Sequence, residues 1–194
     1  MNLTELANKY NTDKGTNPAP SMHGYTDAYD LILAPWRKQP LRLLEVGVVM
    51  ENTEGGHSIK MWQDYFPLAS IFCMDIVDIS RFESDRVKCF QGSGADPAAT
   101  TAMYAAFGSQ PFDLIIEDGS HKHDEQVKTF ENLWSLVASG GYYIWEDILN
   151  PLCRENHERL YLQNQASHNY VAERGARIIY DMLGRFESAI FEKR

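Results

Sequence analysis

Five short apolar runs, each followed by a helical pattern, constrain this chain more than any other feature. They are LRLLEVGV (41–48), SIFCMDI (70–76), RVKCFQG (86–92), FDLIIEDG (112–119) and GYYIWEDI (141–148). Continuous apolar runs bounded by turn residues suit strands buried on both faces. Between them, GHSIKMWQDYF sets Ile59, Trp62, Tyr65 and Phe66 on one helical face. DPAATTAMYAAF opens with Asp96 as N-cap and Pro97 in the first turn. DEQVKTFENLWSLV repeats Val127, Phe130, Leu133, Trp134 and Val137 at helical spacing, and ASGG is expected to stop it. Strand–helix alternation of this kind predicts an α/β fold with a mostly parallel, doubly wound sheet. The whole chain, 1–194, reads as one domain. Residues 1–40 are polar and broken by GTNPAPSMHGY, which predicts a helical lid ahead of a core spanning 41–194. The tail reads as mostly helical over 151–184, with one last strand in ESAIFEKR (187–194).

Composition removes several function classes. The net charge of −9 repels phosphate backbones, so no nucleic-acid partner is expected. No apolar run reaches the ~20 residues of a membrane span, and MNLTELANKYNTDKG lacks the apolar region of a signal peptide, so a cytoplasmic protein with no membrane partner is expected. Cys73, Cys89 and Cys153 are too scattered for a zinc site or a disulfide framework, and core packing is expected for the first two.

The ends of the runs carry the chemistry. LLEVGV presents Glu45 and then Gly47, with a helix starting near Gly56. That places a tight turn and a helix N-terminus against a ligand. After Gly47 come Val48 and Val49, so the second glycine of a dinucleotide fingerprint is missing. Asp75 ends the second run, where a carboxylate can accept hydrogen bonds from both hydroxyls of a ribose, in NAD and S-adenosylmethionine alike. Asp118 ends the fourth run and Glu146 and Asp147 end the fifth. Neighbouring strands would bring these three carboxylates to one rim, where repulsion calls for a cation. Carboxylate oxygens with open water positions suit Mg²⁺. His121, three residues after Asp118, is either a helix-capping histidine or a general base.

LEVGVVMENTEGGHSIKMWQDYFP, MDIVD, RVKCFQGSGADPA, IIEDGSH and GGYYIWEDI occur in an order that resembles the class I S-adenosylmethionine-dependent methyltransferases. Within that class the chain is similar to the metal-dependent sugar O-methyltransferases of macrolide antibiotic biosynthesis, over roughly residues 8–148, with KYNTDKG and HGYTDAYD matching the segment before the core. The resemblance implies a Rossmann-like class I methyltransferase fold. It implies cofactor contacts at Glu45, Gly47, Ser58, Asp75, Gln91, Gly92, Ser93 and Asp118, with Ser93 standing where many class I enzymes have an acidic residue. It also implies Mg²⁺ on Asp118, Glu146 and Asp147, His121 as the base, and contacts from His23 and Tyr25 to the acceptor or lid. The expected partner is a small-molecule glycoside or sugar, the expected assembly a homo-oligomer, and the expected activity methylation of a sugar hydroxyl. A catechol-type O-methyltransferase is the nearest rival, a nicotinamide-dependent oxidoreductase is a rival of another class, and a cofactor-binding protein without catalysis is a third. His123 reads as a solvated or capping residue, while Glu117 and the MEN stretch of loop 48–56 receive no assignment.

Overall fold

A computed structural model describes residues 1–17, 23–49, 54–147, 176–181 and 188–193. Its elements run α1 (Leu3–Tyr10), α2 (Tyr25–Leu33), β1 (Arg42–Val46), α3 (His57–Tyr65), β2 (Ser70–Asp75), β3 (Val87–Gln91), α4 (Pro97–Ala106), β4 (Phe112–Glu117), α5 (His123–Leu133), β5 (Val137–Glu146), β6 (Ala176–Asp181) and β7 (Ser188–Lys193). They form a seven-stranded sheet in the order β3-β2-β1-β4-β5-β7-β6. Strands β1 to β5 are parallel, and β7 is antiparallel to both β5 and β6. The order reverses between β1 and β4, which makes the crevice beyond their C-terminal ends the natural ligand site.

Alternation along each strand explains the continuous apolar runs. Leu43, Ile71, Leu114 and Ile144 point to one core, under α1, α2 and α3. Leu44, Phe72, Ile115 and Tyr143 point to a second core, under α4 and α5. The two faces together require apolar residues at every position. Asp96 caps α4 as its sequence suggests, accepting from the Ala98 N–H at 2.9 Å. Cys73 is buried and Cys89, its register partner on β3, is half-buried; both are free thiols.

Helices α1 and α2, in the segment expected as a lid, are built into the first core. Leu3, Leu6, Tyr29 and Leu33 of α1 and α2 are buried with the β1 and β2 side chains. The apolar positions of α2 recur at helical spacing (Tyr25, Ala28, Tyr29), so one face must be covered. ASGG does not end a helix directly. Helix α5 stops at Leu133, a 3₁₀ turn covers Trp134–Leu136, and Ala138–Gly141 form an irregularity inside β5. The register with β4 slips there, from Phe112↔Val137 to Leu114↔Tyr142. Glycines allow the slip: Gly140 has φ 74°, and a Cβ on Gly141 would lie 2.8 Å from the Asp113 carbonyl.

The tail departs from expectation at one place. Residues 176–181, read as helical, are strand β6, so two strands follow residue 150 and the sheet ends in an antiparallel pair. ARIIYD has no strict alternation to announce it, and pairing with β7 decides its state. Residues 148–175 and 182–187 lie outside the described residues, as do Met50–Thr53 of the unassigned loop.

Candidate active site

Strand register brings the ends of β1, β2, β3 and β4 level. Val46 pairs with both Met74 and Glu117, and Asp75 with Gln91. Beyond them opens a cavity of about 630 Å³, in the size range of small-molecule sites. Of the residues expected around a cofactor, Gly47, Ser58, Asp75, Gly92, Ser93 and Asp118 line it. Glu45 and Gln91 do not line it. The Gln91 amide instead donates to the Ile76 carbonyl at 3.1 Å, and Glu45 lies behind Ser58, whose Oγ donates to it at 2.9 Å. Burial raises the Glu45 carboxyl to about 7, although nearby Lys14 pulls the other way.

Gly47 is required by a close approach of backbone to backbone. Its φ is 84°, and a Cβ there would fall 1.9 Å from the Asp118 carbonyl oxygen. Asp75 accepts from the N–H groups of Val48 (2.9 Å), Val49 (3.1 Å) and Val77 (3.1 Å). A carboxylate has about four acceptor positions, so about one remains for a ligand. Ile76 lines the cavity and is 71% exposed. Sequence reasoning passed over it; the signal was an apolar residue placed just after a strand-ending acid. Glu117, which had no assigned role, is buried in the cavity wall with Oε2 unpartnered. Burial and the neighbouring Asp118 raise it to about 8.

A polar centre lies beside this cavity. The ammonium of Lys14 bonds to Asp118 Oδ2 and Glu146 Oε2 together. Its side chain is 2% exposed. Burial opposes its charge, but the two carboxylates outweigh burial and hold it protonated. The other oxygen of Glu146 accepts from the Tyr29 hydroxyl at 2.7 Å. Asp147 accepts from the Tyr25 hydroxyl. Two tyrosines four apart on α2 thus meet two consecutive acids at the end of β5. His23 stacks on Tyr25 with ring centroids 4.9 Å apart, and its Nδ1 is 3.6 Å from Asp147 Oδ1. His121 Nδ1 faces the other Asp147 oxygen at 3.4 Å. His121 and Asp147 both have left-handed backbones, with φ 54° and 47°. Non-glycine residues hold that conformation at a cost, and such residues cluster at functional sites.

Asp118, His121 and Asp147 place one ligand atom each within 4.8 Å of one another. That is the scale of a coordination shell, about 4 Å across for bonds of about 2.1 Å. His121 Nδ1 is buried and makes no hydrogen bond, so one polar atom of the group lacks a partner, as a ligand site would leave it. The residues fit a divalent ion. Glu146, expected as a third ligand, stands beside this group, one oxygen accepting from Lys14 and the other from Tyr29. Lys14 and Tyr29 were both missed from sequence.

No family model matches the chain. It is 37% identical over 133 residues to the 8-demethyl-8-(2-methoxy-alpha-L-rhamnosyl)-tetracenomycin-C 3'-O-methyltransferase of Streptomyces olivaceus, covering 68% of this chain and 34% of that protein. It is 34% identical over 148 residues to the demethylmacrocin O-methyltransferase of Streptomyces fradiae and to the mycinamicin VI 2''-O-methyltransferase of Micromonospora griseorubida, covering 75% of this chain and 36% of each. The chain thus spans about a third of the length of these relatives. Among solved structures, the methyltransferase MycE of the mycinamycin pathway, in complex with Mg, SAH and mycinamycin VI, superposes with a TM-score of 0.78 at 28% identity, over 100% of this chain and 54% of that one. A Methanococcus jannaschii fibrillarin shares the fold alone, with a TM-score of 0.57 at 15% identity over 81% of this chain and 69% of that one. With the strand order and the site in place, these likenesses identify the chain as a class I methyltransferase by fold, resembling in sequence the macrolide and tetracenomycin sugar O-methyltransferases.

Proposed function

We propose that the chain is an S-adenosylmethionine-dependent, Mg²⁺-assisted O-methyltransferase that methylates a sugar hydroxyl of a glycosylated natural product. The observation that carries this reading is the Asp118–His121–Asp147 group at the edge of the cavity over the β1/β4 switch point. The relatives' names supply the acceptor class. A cytoplasmic setting, where cofactor and Mg²⁺ are both plentiful, belongs to the same reading.

Methyl transfer to a hydroxyl needs an electrophilic methyl group, a nucleophile made more acidic, and a proton acceptor. S-adenosylmethionine supplies the first. Bound Mg²⁺ supplies Lewis acidity to a hydroxyl beside it. The chain does the rest. Gly47, Ser58, Gly92 and Ser93 shape the cofactor cavity, with Asp75 and exposed Ile76 at its ribose and adenine end. Asp118 and Asp147, with Glu146 beside them, offer the oxygen ligands that Mg²⁺ prefers, which leaves the His121 imidazole for the proton. Asp147 Oδ2 stands 3.4 Å from one ring nitrogen of His121, while the Tyr25 hydroxyl fixes Asp147 from behind. Tyr25 is therefore a positioning residue, with His23 stacked on it.

Calorimetric titration with S-adenosylmethionine, with and without Mg²⁺, tests the reading, and NAD serves as the control. Heat with the sulfonium cofactor is expected. Heat with NAD alone would overturn the assignment in favour of an oxidoreductase.

A further inference from the structure

Cys73 and Cys89 take no part in the scheme above, yet the sheet sets them side by side. They are register partners on the parallel strands β2 and β3. Neighbouring strands lie about 4.8 Å apart, and partners in register project to the same face. A disulfide needs Cα atoms about 4.4–6.8 Å apart and Cβ vectors that do not diverge. Both conditions follow from the register. Strand β3 is also the edge of the described sheet, paired with β2 alone, so it can shift the little that closing a bridge asks.

The two thiols differ in access and in acidity. Cys73 is 0% exposed and packs within the first core, whereas Cys89 is half-buried at the margin of that core. The Cys73 S–H donates to the Cys89 sulfur. That bond holds the Cys89 thiol below its ordinary range, against burial and the charges of Glu83 and Asp78. The same bond and burial push Cys73 well up, with Glu45 and Asp75 adding to them. A reachable sulfur with thiolate character is the one that meets an oxidant, and a thiol beside it is the one that resolves the product. Core packing accounts for Cys73 alone. It does not account for a second, partly exposed thiol hydrogen-bonded to the first.

We propose that Cys73 and Cys89 form a hydroperoxide-reactive dithiol site, in which a hydroperoxide oxidises Cys89 and Cys73 then closes a reversible disulfide between β2 and β3. In the first step the Cys89 sulfur attacks the O–O bond. An S–O bond forms, the O–O bond breaks, and an alcohol leaves, or water when the oxidant is hydrogen peroxide. In the second step the Cys73 sulfur attacks the Cys89 sulfur. An S–S bond forms, the S–O bond breaks, and the hydroxyl leaves with the Cys73 proton as water. Two electrons pass from the two thiols to the peroxide. The bridge ties β2 to β3 two residues before Asp75 and Gln91, which pair in the same register. The inference is independent of the metal and methyl-transfer readings.

The test is peptide mapping of the whole chain by mass spectrometry, after brief treatment with hydrogen peroxide under native conditions, quenching, and blocking with N-ethylmaleimide in urea. The expected product is a linked Cys73–Cys89 peptide, lighter by two hydrogens and lacking both maleimide adducts. Dithiothreitol should restore both thiols. Cys89→Ser should leave Cys73 reduced at the same dose, whereas Cys73→Ser should stop Cys89 at a sulfenic acid that dimedone traps. Failure of the bridge to form in the unsubstituted chain would overturn the proposal. So would a bridge from either thiol to Cys153 in its place, or a Cys73–Cys89 bridge that forms only when peroxide is added to the unfolded chain. These three outcomes need no substitution, so they decide the matter even if neither variant folds.

Discussion

Replacing His121 by Asn separates the proposed base from everything else the residue does. Alanine would be a poorer choice: at φ 54° a plain L side chain is strained by about 1–2 kcal/mol, whereas Asn tolerates the left-handed region. The imidazole makes no aligned hydrogen bond, its nearest partner being Asp147 Oδ2 at 3.4 Å. Unfolding free energy should therefore change by less than about 1 kcal/mol. Cofactor affinity should move little, because His121 is one of many residues around the cavity, which the loops after β1, β2, β3 and β4 and residues 11–13 all help to wall. Turnover is different. A positioned base contributes about 10²- to 10⁴-fold, which at about 1.36 kcal/mol per decade is about 2.7–5.5 kcal/mol of barrier. The assay is initial-rate methyl transfer at saturating S-adenosylmethionine and Mg²⁺, paired with calorimetric cofactor binding on the same preparation. A drop in kcat with unchanged cofactor Kd is the expected split. Turnover within about threefold of wild type would refute the base assignment, since that is far below the ~10² a base supplies. A parallel loss of cofactor binding would show that His121 shapes the cavity instead.

Three further perturbations address the framework. The Glu45 carboxyl is raised to about 7 in the fold by burial, from an ordinary 4.5. Its contribution to stability is complete below about pH 4.5 and is lost as pH rises through about 7, by up to about 1.4 kcal/mol per pH unit. Urea unfolding at pH 5 and pH 8 should thus show a smaller loss for Glu45→Gln than for wild type, and equal losses would contradict the assignment. Tyr29→Phe removes a hydrogen bond to buried Glu146 and should cost about 1.5–3 kcal/mol by denaturation; a cost under about 0.5 would mean that Lys14 alone satisfies that carboxylate. Gly47→Ala forces a Cβ against the Asp118 backbone, which cannot rotate aside. It should destabilise by at least about 3 kcal/mol and abolish cofactor heat, and a folded, binding variant would show that the β1 and β4 ends need not touch.

The parts of the site that could be read from sequence are those written at strand ends. FDLIIEDGSH and YYIWED announce themselves because an apolar run must stop before a charged residue, and parallel strands stop on one rim. The same logic pointed to Asp75 and Gly47, which line the cavity. Glu45 and Gln91 stand outside the cavity lining, because residues on one strand alternate between facing the cavity and facing the packing behind it. That logic missed Lys14 because a lysine in the polar stretch NTDKG looks solvated, and only a partner more than a hundred residues away reveals otherwise. It missed β6 for a related reason: ARIIYD becomes a strand by pairing with β7, an interaction between segments rather than a property of either.

These omissions have a common physical origin that bears on how the site works. The carboxylates come from the parallel sheet, but what steadies them comes from the N-terminal segment: Lys14 for Asp118 and Glu146, Tyr29 for Glu146, Tyr25 for Asp147. Three acids at one rim would repel one another and draw in protons if left alone. With an ammonium and two hydroxyls packed against them from α2 and the stretch before it, their geometry is set before any ligand arrives. Because α1 and α2 also complete the first core, loosening that segment would cost stability and site geometry together. Core packing and ligand positioning are thus coupled through the same residues, and mutations on the buried face of α2 should disturb the acids at the end of β5 without touching the cavity.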